Sequence, residues 1–423
     1  MLLISDILEK KLRWLLGGVF IVSLLYSFLS YSLTDPNLIL ISWEPYWDFQ
    51  QWMWQNFFHN RQLLAAVYSG LVGAFFLLYL WGLKITGKTK NLPEQEAASS
   101  ELTAKKLFTW VLVAISPLLF SYNALSHDVF NYIFNAKMVA VYHADPHQAV
   151  ALDFVRDPWT RFMHNTHTPA PYGYGWTGLS LLPYFAGFGK FFSTWLVFRL
   201  FALLSLVLLF KVWQKIYQKL HDKPLSLYST LLVFLNPLLL IEVISNQHND
   251  LWMMAPALAS FYLLLEKPKK RALGRILLSL IFLAISISIK FATAVLIPLW
   301  VLAVMSWWWG KLRRFLTWPH FFLLVSLAMF IPLFSSRSQQ FLPWYLAWAF
   351  IWLPLIKESW WKAWLIILSL TGLLRYVPWI LAGEHNDLVL ANQKWMLWGV
   401  ALGLWFLWHL WFLWNKMRYN DPR

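Results

Sequence analysis

The chain has 423 residues, 59% of them hydrophobic and 13% charged, with 30 Trp, 33 Phe and no Cys. Soluble domains average about 45–50% apolar and about 25% charged residues, so a water-soluble globule is excluded, and without Cys so is a disulfide framework. The formal charge of +15 invites nucleic-acid binding, but the basic residues form short clusters at the ends of apolar runs, as in cytoplasmic loops, and no nucleic-acid partner is expected.

In chain order, Lys10, Lys11 and Arg13 lead into an apolar run at 14–33. The run is longer than a signal-peptide core and lacks an A-x-A site, so it is expected to be an uncleaved first span. Further runs follow at 63–83, 107–125, 194–213, 227–245, 250–265, 273–289, 291–309, 318–334, 343–356, 362–381 and 395–414. The expected fold is all-α: a polytopic transmembrane helical bundle of about twelve spans with a large outer loop carrying interfacial helices. The pair 273–289 and 291–309, divided only by Lys290, could instead form a hairpin that does not fully cross. Residues 176–190 hold two Gly and a Pro in fifteen apolar positions. If they crossed, Lys211 through Lys223 would fall outside, so they are expected to form a helix lying at the outer interface.

Charge sorting puts both termini and the linker 84–106 in the cytoplasm, and the polar loops on the extracytoplasmic face of a bacterial-type plasma membrane. Three regions follow: N-terminal spans with the linker (1–106), a core (107–390) with outer loop 126–193, and a last span with its tail (391–423).

The outer loops hold four constellations. In SHDVFNYIFNAK, Asp128 begins a helix on which Asn131, Asn135 and Lys137 mark the polar face of an amphipathic segment resting on the membrane surface. A carboxylate there suits the positive end of the helix dipole, so Asp128 reads as a capping residue or a catalytic base, and His127 as a positioning residue. The loop 143–175 holds Asp145, His167, Tyr172 and Tyr174, with aromatics suited to a sugar platform or to interfacial anchoring. Its His spacings lack the companions of a zinc site. LNPLLLIEVISNQHND carries Glu242 inside the membrane edge, a functional-site hypothesis by default. Asn246, His248, Asn249 and Asp250 follow, types suited to binding hydroxyls. The cations Lys290, Arg337 and Arg375 suit phosphate.

These residues resemble the GT-C superfamily of integral-membrane glycosyltransferases, most nearly the bacterial polyprenyl-phosphate-mannose-dependent mannosyltransferases. The resemblance covers roughly 107–390 and rests on SHDVFNY, AKM…ADP, PYGYGW, LNPLLLIE…NQHND, the Lys of SISIKFAT and RSQQFLPWYL. It implies transfer of a hexose such as mannose from a polyprenyl-phosphate donor to a hydroxyl of a glycan or glycolipid acceptor, with inversion. Asp128 would be the base, and Lys290, Arg337 and Arg375 would hold the lipid phosphate. His127, Asn131, Asp145, His167, Tyr172, Tyr174, Glu242, Asn246, His248, Asn249 and Asp250 would line the substrate. No cofactor is required beyond the option of a divalent cation, Mg or Mn, and the partners are lipid-linked sugar, acceptor and membrane lipids. A transporter or flippase is the alternative; it would spread polar residues through the midplane and show repeat symmetry.

Overall fold

A computed structural model describes residues 2–35, 37–87, 102–268, 270–315, 317–335 and 341–419. Among them the chain is helical without strands, in line with the expected all-α class. In lipid every backbone polar group needs an internal partner, which helices supply within one segment.

Six helices are long and apolar enough to cross a membrane: Asp6–Leu33, Arg61–Gly87, Phe191–His221, Ala272–Ile289, Ser359–Ala382 and Asp387–Asn415. Leu227–Phe234 and Pro237–Ser245 make a seventh if counted as one span bent by 46°. The expectation of about twelve spans is not met by crossing helices of full length. A bilayer core of about 30 Å needs about 20 helical residues, and the other five predicted spans fall on shorter pieces.

Proline explains most of the shortening, since it lacks an N–H and clashes with the preceding turn. The run 107–125 divides into Ala104–Ala114 and a 3-10 turn entered at Pro117. Pro298 starts Ile297–Met305, and Pro332 the turn after Trp318–Ala328. Pro343 and Pro354 break 343–356 into single turns. Asp250–Leu264 has only 15 residues, with Pro256 inside.

The broken pieces matter because their ends converge. Tyr122 N–H donates to Ser30 Oγ, the Tyr31 hydroxyl to the Phe120 carbonyl, Asn123 to the Ser245 carbonyl, and Gly173 N–H to the Ile289 carbonyl. One end of the bundle is therefore polar and built from chain termini of many helices.

The segment at 176–190 is a helix, Tyr174–Ala186. Asp128–Tyr142 is also a helix, but not one resting on a surface. Val129 through Phe134 are all buried, Asn131 included. Lys137 forms an ion pair with the buried Asp157 at 2.5 Å, and the Tyr142 hydroxyl donates to the same carboxylate. The loop 143–175 folds back over the helix, so its polar side meets protein rather than solvent.

Candidate functional site

The site begins with a close backbone approach. A Cβ on Gly173 would lie 2.0 Å from the Ser288 carbonyl oxygen, and one on Gly175 2.1 Å from Ser288 Oγ. Only glycine permits this contact. It presses the PYGYG turn onto the end of Ala272–Ile289, setting Tyr172 beside Lys290, whose ammonium is 5.3 Å from the Tyr172 ring centre.

From there Tyr172 reaches Asp128: its hydroxyl donates to Asp128 Oδ2 at 2.5 Å, and the Tyr132 hydroxyl donates to that of Tyr172 at 3.4 Å. His248 Nδ1 lies 3.5 Å from the same Oδ2, and His248 Nε2 lies 3.4 Å from Glu242 Oε2. The imidazole and Glu242 are wholly buried, whereas the Asp128 side chain keeps 18% of its surface. Glu242 also accepts from the Tyr376 hydroxyl at 2.9 Å and from Asn246 Nδ2 at 3.0 Å. The His248 ring stacks on Trp344 with centres 3.7 Å apart, which fixes its plane.

Neither His248 contact has hydrogen-bond geometry, so the imidazole is held by charge and by stacking. An opposite charge at 3.5 Å is worth about 5 kcal/mol at an effective dielectric of about 20. Burying an ion costs several kcal/mol, so one carboxylate roughly offsets the burial of an imidazolium and two exceed it. Burial disfavours the His248 cation, but Asp128 and Glu242 outweigh it and hold its pKa above the usual histidine value. Burial likewise works against the Asp128 carboxylate, yet His248, Tyr172 and Lys290 together hold its pKa below the usual carboxylate range. The pairing thus favours the protonated form of His248 and the ionised form of Asp128. No described side chain engages Asp128 Oδ1.

A second ion pair stands beside the first. Lys290 Nζ contacts Asp250 Oδ1 at 2.7 Å, and the same oxygen accepts from the Trp348 indole. Tyr172, Tyr345 and Trp348 surround the ammonium, their ring centres between 5.3 and 5.6 Å away. Asp250 takes one of the three donors of Lys290.

Around these pairs several buried polar atoms have no hydrogen-bond partner: Asn131 Oδ1, Asn246 Oδ1, both amide atoms of Gln247 and of Asn249, and Asp250 Oδ2. Native proteins leave few such groups, and six of these atoms lie within residues 246–250. Gln247 takes a φ of 62°, in the left-handed region that side chains seldom adopt, so the backbone is also strained there.

The sequence-predicted residues divide. Asp128, Tyr172, Glu242, Asn246, His248, Asp250 and Lys290 are brought together by direct contacts, and Asn131 and Asn249 lie in the same segments. His127 adjoins the group: its Nδ1 pairs with the Phe162 carbonyl at 2.8 Å and its ring stacks on His164 at 3.7 Å. Burial and His164 push its pKa down to about 3, so it is neutral. Asp145 and Tyr174 are not brought to Asp128. The exposed Tyr174 hydroxyl donates to Asp145 Oδ2 at 2.9 Å, and the Tyr174 ring lies against His147. His167 is exposed on the loop. Arg375 is buried, with Tyr376 and Glu242 acting on it electrostatically. Arg337 lies outside the described residues. Among the described residues no three His, Asp or Glu side chains are grouped to hold a metal ion.

Tyr376, Trp344 and Trp348 were not singled out in the sequence. Tyr376 directly follows Arg375, and both Trp lie in the LPWYLAW run just after Arg337. The signal was adjacency to residues already chosen for their charge.

Neither the curated proteins nor the solved structures provide a match. The model of the MptA_B family, described as alpha-(1->6)-mannopyranosyltransferase, N-terminal domain, matches residues 39–306, a stretch that includes Asp128, Tyr172, Glu242, His248, Asp250 and Lys290. That match covers more than half of the chain: the protein belongs to this alpha-(1->6)-mannopyranosyltransferase family, and it is an integral-membrane mannosyltransferase of the GT-C type.

Proposed function

We propose that the protein transfers mannose from a polyprenyl-phosphate donor to a hydroxyl of a glycan or glycolipid acceptor, with inversion and with Asp128 as the general base. One observation carries the assignment. The Asp128 side chain stays partly exposed with no described side chain on Oδ1, while Oδ2 is tied to Tyr172 and His248.

The acceptor hydroxyl gives its proton to Asp128 Oδ1 as its oxygen bonds to the anomeric carbon. The bond from that carbon to the phosphate oxygen breaks with its electron pair going to the lipid phosphate. The transition state resembles an oxocarbenium ion, as in glycoside hydrolysis. The imidazolium of His248 keeps Asp128 ionised before the reaction. Lys290, with two donors beyond Asp250, stabilises charge on the departing phosphate. Asn246 Oδ1 and the amides of Gln247 and Asn249 offer unpartnered atoms that sugar hydroxyls would satisfy.

The reaction belongs on the extracytoplasmic face, with both chain ends in the cytoplasm. Supporting this, Lys10, Lys11, Lys84 and Lys211–Lys223 fall at the helix ends opposite the polar group.

The test is transfer of radiolabelled mannose, glucose or arabinose from the polyprenyl phosphate by membranes holding the protein. Mannose is the expected donor sugar. Asp128→Asn should fold and insert normally while losing 10²–10⁴-fold in turnover, the usual contribution of a positioned base. Retention of most activity would remove Asp128 from that role.

A further inference from the structure

Lys290 sits at the tip of a hairpin. Ala272–Ile289 runs up to it, the 3-10 turn Phe291–Leu296 leads away, and Ile297–Met305 returns. Asp250–Leu264 packs along the same hairpin through side-chain hydrogen bonds. Lys290 itself is extended, with φ −152° and ψ 124°, so the helical ladder breaks beside it. A break inside an apolar bundle leaves backbone groups that water cannot reach, and each needs a partner.

The hairpin supplies partners from buried hydroxyls. Ser286 Oγ donates to the Met253 carbonyl at 2.7 Å and stands 2.9 Å from Thr293 Oγ1. Thr293 Oγ1 in turn lies 3.4 Å from the Lys290 carbonyl, and the Lys290 N–H donates to the Ser286 carbonyl at 3.2 Å. About two turns away along the helix, Ser279 repeats the pattern. It donates to the Ser260 carbonyl at 2.9 Å and accepts from the Trp300 indole at 2.8 Å. Ser260, Ser279, Ser286 and Thr293 are all fully buried.

Both rungs join the same three pieces of chain, but only the Ser286 rung adjoins the Lys290–Asp250 ion pair. Met253 is three residues from Asp250 and Ser286 four from Lys290, about one helical turn in each case. A slip of one turn between the two pieces would carry Lys290 about 5.4 Å. That is far more than the 2.7 Å between its ammonium and Asp250.

We infer that Ser286 and Thr293 are positioning residues for the donor phosphate. Their hydroxyls fix the backbone of Lys290 and its register against Asp250, and so aim the ammonium donors that Asp250 leaves free. The inference rests on the role given to Lys290 in the transferase reading above and adds the device that places it.

The test is equilibrium binding of a short-chain polyprenyl phosphate to the purified full-length protein in detergent, with the corresponding alcohol as control. Ser286→Ala and Thr293→Val should each weaken phosphate affinity about tenfold, since a small misplacement of an aimed group is costly. Neither should change affinity for the alcohol. Thr293→Ser, which keeps the hydroxyl and loses the methyl, should bind like the wild type. Ser279→Ala should lower the unfolding temperature at least as much as Ser286→Ala, yet hold phosphate affinity within about twofold, because separate sites act independently. Joined to Lys290→Met, Ser286→Ala should cost nothing further, the mark of two residues acting through one contact.

Equal losses of phosphate affinity in Ser279→Ala and Ser286→Ala, or a Thr293→Val that outperforms Thr293→Ser, would reduce the rung to packing and overturn the inference. The Thr293 pair decides even where Ser286→Ala fails to fold. A wild type that binds the phosphate no better than the alcohol overturns it too. Phosphate binding that responds to Ser286 as expected, with no mannose transfer by the wild type, would keep the inference and sink the transferase reading. Mannose transfer by the wild type with unchanged phosphate affinity in Ser286→Ala would do the opposite.

Discussion

Two buried polar networks share the turn Leu240–Ser245, and they are built differently. The first surrounds Arg199, fully buried in Phe191–His221. Its Nη1 donates to the Leu118 carbonyl, Ser121 Oγ and the Ile244 carbonyl, and its Nη2 to Asn123 Oδ1 at 2.8 Å. Asn123 also accepts from the Trp195 indole, and Ser121 donates to Ser245. Only Nε of the guanidinium lacks a partner. The second network, Asp128–His248–Glu242 with residues 246–250, contains two carboxylates, an imidazole and a row of amides whose atoms are mostly unpartnered. Satisfied groups specify a fold, because each is costly to leave unmatched. Unsatisfied groups in so buried a place suit a molecule that arrives with hydroxyls of its own. Under the proposed transfer, the contrast leaves packing to the Arg199 network and chemistry to the Asp128 network.

After the loss of Asp128 itself, the largest effect should come from removing charge at Glu242 while keeping its shape. Glu242→Gln preserves the hydrogen bond from Tyr376 but takes away one of the two carboxylates that hold His248 as a cation. We expect turnover to fall about 10²-fold, comparable with the lower range for acid–base groups, with KM for the donor little changed. Glu242→Asp keeps the charge on a shorter stem and should recover part of the loss. A purely structural Glu242 would give the reverse order, the isosteric Gln outperforming Asp, and kcat measured on both variants decides.

A smaller effect, with a definite sign, concerns pH. In the wild type the His248 cation, with Tyr172 and Lys290, holds the Asp128 pKa below its usual value, so the base stays ionised as pH falls. His248→Gln removes that support and leaves burial to push the carboxyl up. The acid-side loss of kcat/KM should therefore set in at a higher pH in the variant. An unshifted acid limb would show that His248 does not govern the ionisation of Asp128.

Much of this chemistry was legible in the sequence, because it lies in compact motifs. SHD, NQHND and the Lys of SISIK stood out as polar residues ending apolar runs, and the chain brings them into contact. The helical class was equally plain from composition. The number of crossing helices was not, since hydropathy counts apolar residues while Pro117, Pro298, Pro332, Pro343 and Pro354 decide where a helix breaks. Loop 143–175 misled for a related reason. Its Asp145, His167 and Tyr174 are the right residue types, but where Gly173 and Gly175 press the turn onto Ser288 it is Tyr172 whose hydroxyl reaches Asp128, while that of Tyr174 meets Asp145. Tertiary approach, not residue type, selects the tyrosine that reaches Asp128. Arg199 was one charge in an apolar run, and its significance lay in that isolation.

Arg199 offers the sharpest check of the contrast, because its expected effect on catalysis is the smallest. Arg199→Met keeps the length and apolar stem of the side chain while removing every donor. The carbonyls of Leu118 and Ile244 then lose a buried partner, as does Asn123 Oδ1, at about 1–3 kcal/mol for each buried group left unmatched. Thermal unfolding in detergent should shift down by several degrees. The surviving folded fraction should turn over mannose within about threefold of the wild type, because no Arg199 atom contacts Asp128, His248 or Lys290. The Leu240–Ser245 turn is a route by which damage could spread, since Ile244 and Ser245 belong to one network and Glu242 to the other. A loss of kcat as large as that of Glu242→Gln, with an unchanged unfolding temperature, would mean the two networks are one device and that Arg199 sets the position of Glu242.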